Sequence, residues 1–176
     1  MAAVTLLEAR GLTRSFGGLR AVDHVDFTLN SGEIHALIGP NGAGKTTFVS
    51  LLSGRLQPDA GQIRFDGADV TRLPAHARVA QGIAYTFQIT SVYPRLSVFD
   101  NVALATQSAG ERDLNNAVAT ALARVNLTGF DTDMAGNLSY GHQRLLEVAM
   151  GLALRPRVLI LDEPTRGIDV GAKFEI

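Results

Sequence analysis

The chain has 176 residues, 46% of them hydrophobic and 19% charged, with a formal net charge of −1. That length holds one domain with a real core, and that balance excludes a disordered chain and offers no basic stripe for nucleic acid. There is no Cys, hence no disulfide framework or thiolate metal site, and no apolar run reaches the roughly 18 residues that would span a membrane. The stretch Met1–Arg10 lacks a charged region ahead of its apolar residues, unlike a signal peptide. These features predict a cytoplasmic protein whose membrane role, if any, runs through a partner chain.

In chain order, residues 4–10 and 21–29 read as strands. In the second, Val25, Phe27 and Leu29 alternate with Asp26 and Thr28, as in a half-buried strand. Asn30-Ser31-Gly32 is a turn, and Glu33-Ile34-His35-Ala36-Leu37-Ile38 is a short apolar run that predicts a buried strand. A glycine-rich segment follows, then a predicted helix over 45–53 stopped by Gly54. Residues 61–67 alternate and end in Asp66-Gly67, and residues 83–87 read as another strand. The pattern is helical from about Ser97 to Leu127, Gly129 to Asn137 reads as a loop, and Gln143 to Leu154 is a strong amphipathic helix ending before Pro156. Val158-Leu159-Ile160-Leu161 is a fully apolar strand. Helices interleaved with buried strands predict an α/β domain with a parallel sheet, the helical block between Gln88 and Pro156 forming a subdomain on it.

Two segments carry chemistry. Gly39-Pro40-Asn41-Gly42-Ala43-Gly44-Lys45-Thr46-Thr47 fits G-x-x-x-x-G-K-S/T, the phosphate-binding loop. Its glycines let backbone N–H groups curl around an anion, Lys45 supplies a point charge for the β- and γ-phosphates, and the Thr46 hydroxyl suits Mg²⁺. A helix beginning at this loop adds free N–H groups and the positive end of its dipole. The second segment is Asp162-Glu163, two carboxylates delivered at the C-terminal end of an apolar strand, where α/β sheets place their ligands. The first suits metal ordering and the second suits polarising an attacking water.

Leu138-Ser139-Tyr140-Gly141-His142-Gln143, lying between these two segments, resembles the signature motif of ABC ATPases, commonly L-S-G-G-Q, and the motifs stand in that family's order. The resemblance covers essentially the whole chain. It implies a P-loop NTPase: a RecA-like α/β core with a mainly parallel sheet, an antiparallel β subdomain and an inserted helical subdomain. The core would be 1–90 and 156–176, the helical signature subdomain 91–155. It implies ATP and Mg²⁺ as ligands, with Lys45, Gln88 and Glu163 catalytic and Thr46, Gln88 and Asp162 at the metal. Gly39 to Thr47, Phe16 and, from a second subunit, Ser139 and Gly141 would hold the nucleotide.

Phe16 resembles the aromatic that stacks on adenine, the alternative being a core Phe. Ser139 suits γ-phosphate binding and also suits a helix N-cap. Gln88 resembles the Gln that touches Mg²⁺ and links to the membrane partner, and Asp169 the loop Asp that crosses the dimer interface. Tyr140 and His142 depart from the usual Gly and Gln. The family's switch His follows the next strand, whereas the four His here, His24, His35, His76 and His142, all precede the carboxylates, so the chain reads as a C-terminally truncated domain.

The partners implied are a second nucleotide-binding domain, as homo- or heterodimer, and transmembrane permease subunits, with no nucleic acid. The chain would sit on the cytoplasmic face of the cell membrane through those subunits. Residues 16–22, 82–88 and 138–144 resemble importers of branched-chain amino acids, whereas 163–173 resemble sugar importers. A soluble ABC ATPase acting on DNA or ribosomes, a P-loop kinase and a nucleotide-binding module that turns ATP over slowly or not at all are the competing readings. Coiled-coil insertions and tandem domains, usual in the first, are not seen, and the signature motif disfavours the second.

Overall fold

The computed structural model describes residues 4–86 and 91–162. They group into two compact units, Met1–Gln81 and Gly82–Ile176.

In the first unit, strand β1 (Thr5–Phe16) turns through Gly17 and Gly18 into β2 (Leu19–Asn30), both longer than the sequence pattern suggested. They run antiparallel, from Thr5 opposite Asn30 to Phe16 opposite Leu19. β1 also pairs antiparallel with β3 (Ala60–Phe65), and β3 with the short β4 (Ala68–Asp69), giving the order β2-β1-β3-β4. Asp66 and Gly67 make the last turn with positive φ at both residues, 50° and 77°, the geometry whose twist matches the flanking strands. Leu7, Leu12, Ile63 and Phe65 form the buried side of this sheet.

Helix α1 (Lys45–Leu52) buries Phe48, Val49, Leu51 and Leu52, and Phe48 meets Phe27 of β2 edge to face, with ring centroids 5.6 Å apart. Helix α2 (Ala75–Gln81) contributes Arg78, whose side chain is fully buried. Its guanidinium donates to the carbonyls of Leu51 and Leu52, each at 2.8 Å, and to those of Thr71 and Leu73 at 2.9 and 3.1 Å. The last carbonyls of a helix have no partner within it and carry the negative end of its dipole, so a buried cation caps α1. Burial lowers the Arg78 pKa to about 10, which leaves the group charged at neutral pH.

One expectation fails in this unit. Residues 33–38 form no strand and are exposed throughout, Ile34 at 89% and Ile38 at 92%. A strand exists only through ladder hydrogen bonds to a neighbour, and no strand among the described residues pairs with this segment. Its apolar pattern reports what it could bury, not whether a partner is at hand.

In the second unit, β5 (Ile83–Tyr85) and β6 (Val158–Ile160) pair in parallel, with Ile83 opposite Val158 and Tyr85 opposite Ile160. The predicted strand over 83–87 is thus shorter, and Phe87 lies outside the described residues. The helical pattern from Ser97 resolves into α3 (Val98–Ser108) and α4 (Leu114–Arg124), parted near Gly110, whose φ of 75° no helix accommodates. A short 3₁₀ turn, Ala135–Asn137, interrupts the predicted loop. Helix α5 (Tyr140–Ala153) begins before the predicted Gln143, because the Ser139 hydroxyl accepts from the His142 N–H at 3.2 Å and caps it. Val98, Val102, Val118, Leu122, Leu127, Leu146 and Ala149 make the core of these helices.

Candidate nucleotide-binding site

The phosphate loop is a stretch of exposed backbone ahead of α1. Gly42 and Gly44 both hold left-handed φ, 80° and 83°, and the Phe48 N–H donates to the Gly44 carbonyl at 2.8 Å as the helix begins. Gly44 is the N-cap and has no side chain, so no side-chain cap occupies the first N–H groups of α1. Such a terminus is where a phosphate binds best. The Lys45 ammonium folds back onto the loop, donating to the Gly39 and Pro40 carbonyls at 2.7 and 2.8 Å. A cation held there ties the start of α1 to the first residues of the loop. Thr46 is exposed and Thr47 half-buried in the first turn of the helix.

Phe16 ends β1 at the hairpin turn and stays outside the core, 45% exposed, with the Arg14 guanidinium 4.9 Å from its ring centroid. Arg14 is in turn tied to Asp59 at 2.7 Å. The ring therefore offers an accessible π face on a braced support.

In the second unit, Ser139 caps α5, Tyr140 is 47% exposed and Gly141 is half-buried in the first turn. Asp162 follows β6 and is buried, with its carboxylate accepting from the Tyr85 hydroxyl at 3.1 Å. Its backbone carbonyl accepts from Arg144 of α5, and Arg144 forms a buried ion pair with Glu147 one turn on. The unit thus ties the helix that follows the signature residues to the end of the carboxylate strand. Gln88, Glu163 and Asp169 lie outside the described residues.

Tyr85, Arg144 and Glu147 did not emerge from the sequence as site residues. The signal present was Arg144 and Glu147 at i and i+3 inside an otherwise apolar helix face, a spacing that pairs opposite charges. For Tyr85 no local signal exists, because its partner lies 77 positions away.

Mg²⁺ fits this donor chemistry. Thr46 in the first unit and Asp162 in the second each carry a hard oxygen donor of the kind Mg²⁺ takes, and among the described residues no three acidic or imidazole side chains gather into a metal cage. Mg²⁺ is commonly held by one or two carboxylates together with substrate phosphates and water, so a full protein cage is not required.

The ABC transporter family model matches residues 22–166. The chain is 39% identical to the high-affinity branched-chain amino acid transport ATP-binding protein BraF of Pseudomonas aeruginosa, an alignment covering 93% of this chain and 71% of that one. It is 41% identical to the ribose import ATP-binding protein RbsA of Chromobacterium violaceum, over 95% of this chain and 35% of that protein. Among solved structures it is similar to MJ1267, an ATP-binding cassette of an ABC transporter, with a TM-score of 0.86 at 26% identity, covering 96% of this chain and 73% of that one. The chain belongs to the ABC transporter family, whose ATP-binding domains hydrolyse ATP.

Proposed function

We propose that this chain energises an importer of branched-chain amino acids by binding and hydrolysing ATP. The observation that carries the ATP part is the phosphate loop: two left-handed glycines, a helix start with no side-chain cap and a lysine ammonium held at the loop. The likeness to BraF and the segments 16–22, 82–88 and 138–144 support the amino-acid branch. The likeness to RbsA keeps a sugar importer as the second reading.

In this reading the backbone N–H groups of the 39–47 loop, Pro40 having none, and the Lys45 ammonium hold the β- and γ-phosphates. Phe16 stacks on the base. Glu163 accepts a proton from the attacking water, and Gln88 helps to order that water and the metal. Thr46 and Asp162 are the oxygen donors for Mg²⁺, which when bound neutralises charge on the phosphate oxygens. Ser139 and Gly141 contact the γ-phosphate held by a second cassette. Residues 1–90 and 156–176 form the ATP-binding core and 91–155 the signature subdomain. Among the described residues no helix is long and apolar enough to cross a membrane, so permease subunits supply the membrane path.

The test is substrate-stimulated phosphate release in proteoliposomes that hold this protein with the permease and binding-protein subunits of a branched-chain amino acid importer, Lys45→Ala serving as the blank. Leucine, isoleucine or valine should raise the rate severalfold and ribose should not. Stimulation by ribose alone would establish the sugar reading. Equal phosphate release by parent and Lys45→Ala would remove the ATPase assignment altogether.

A further inference from the structure

Asp162 is gripped twice from two separate elements. Strand β6 ends at Ile160, and Asp162 follows it by two residues, at a bend. In the parallel pairing Tyr85 stands opposite Ile160, and the Thr86 N–H donates to the Ile160 carbonyl at 2.9 Å. Tyr85 is therefore in register with a residue two positions before Asp162. A phenol is long enough to bridge that offset, and its hydroxyl donates to Asp162 Oδ2 at 3.1 Å. From the other side, Arg144 donates to the Asp162 backbone carbonyl while its partner Glu147 holds it in place, the two side chains being 1% and 6% exposed.

We infer that Tyr85 is a positioning residue for the metal-ordering carboxylate Asp162. An Asp side chain on a fixed backbone retains a broad, roughly two-fold torsion at its carboxylate. Arg144 fixes the backbone of Asp162 but leaves that torsion free. The Tyr85 hydroxyl removes the freedom by engaging Oδ2, which leaves Oδ1 at a set angle to meet a cation or a cation-bound water. A ligand held by a neighbouring hydrogen bond binds metal more tightly, and loss of such a neighbour typically weakens metal affinity by roughly 10–100-fold. The inference rests on the reading of Asp162 as a metal ligand.

The experiment uses the full-length protein with a non-hydrolysable ATP analogue. Mn²⁺ replaces Mg²⁺ as the probe, its binding followed by electron paramagnetic resonance. Parent, Tyr85→Phe and Asp162→Asn are compared. Tyr85→Phe removes one hydroxyl and keeps the ring, so the melting temperature and the metal-free nucleotide affinity should match the parent. Its Mn²⁺ dissociation constant should rise about tenfold, and Asp162→Asn should lose Mn²⁺ binding. An unchanged or tighter Mn²⁺ constant in Tyr85→Phe, with binding lost in Asp162→Asn, overturns the role of Tyr85 and leaves Asp162 as the ligand. Unchanged Mn²⁺ binding in Asp162→Asn overturns the metal reading of Asp162 and the role of Tyr85 with it.

Discussion

A methyl group added to Gly44 would lie 2.1 Å from the carbonyl oxygen of Ala21, and the same glycine holds φ at 83°. Strand β2 therefore runs against the base of the phosphate loop, and only a residue without Cβ fits between them. Gly44 meets two demands at once, a left-handed backbone and a close backbone approach. Gly44→Ala strains both, and we expect it to destabilise the protein by at least about 2 kcal/mol. A denaturant midpoint within error of the parent's, with the m-value unchanged, would contradict the close approach.

The exposed ring of Phe16, braced by Arg14 and outside the core, should matter for ligand rather than for fold. Phe16→Ala should shift stability by no more than about 1 kcal/mol, the worth of an exposed cation–π contact. It should weaken ATP and GTP together by about tenfold, since stacking contributes ~1–3 kcal/mol and does not read base edges. Fluorescence titration with both nucleotides checks this, and a loss confined to one of them would count against stacking.

Arg144 and Glu147 form a nearly water-free ion pair on α5. Removing one member strands a buried charge, so Arg144→Met and Glu147→Leu alone should each cost about 3–5 kcal/mol, whereas the two together should recover part of the loss, less the hydrogen bond that Arg144 gives the Asp162 carbonyl. Equilibrium unfolding of the single and double variants gives the coupling. Additive losses would show that the pair does not act as a unit.

Asp69 has its pKa lowered from 3.8 to about 2, chiefly by the Thr71 hydroxyl, then by Gln62 and the Thr71 N–H. The folded value lies below the unfolded one. The stability this carboxylate contributes is therefore fully present above pH 3.8 and is lost as pH falls through about 2. Asp69→Asn should flatten the acid limb of stability in that window. Parallel acid-unfolding curves for parent and variant would show that Asp69 does not titrate with folding.

Local features were legible in the chain because their causes lie within a few residues. The loop Gly39–Thr47 leads into a helix at Lys45, as its glycines and lysine imply. Asp66-Gly67 closes a hairpin, and Ser139 caps α5. The apolar face of 143–154 is buried, but its start moved because a cap acts ahead of the periodicity. The run 33–38 reads as a strand by composition, yet composition cannot supply a ladder partner.

By itself, the sequence determined the phosphate loop, the signature and carboxylate segments, their order, and hence the family. Each is a contiguous motif whose chemistry needs only neighbouring residues. Tertiary structure alone decided which distant groups support them: Arg78 capping α1 across 27 and 26 positions, Ala21 excluding any side chain at Gly44, and Tyr85 reaching Asp162 across 77. The reason is physical. A hydrogen bond or a steric limit between residues far apart depends on how the chain folds back, through strand register and helix packing, and no spacing along the sequence encodes that return.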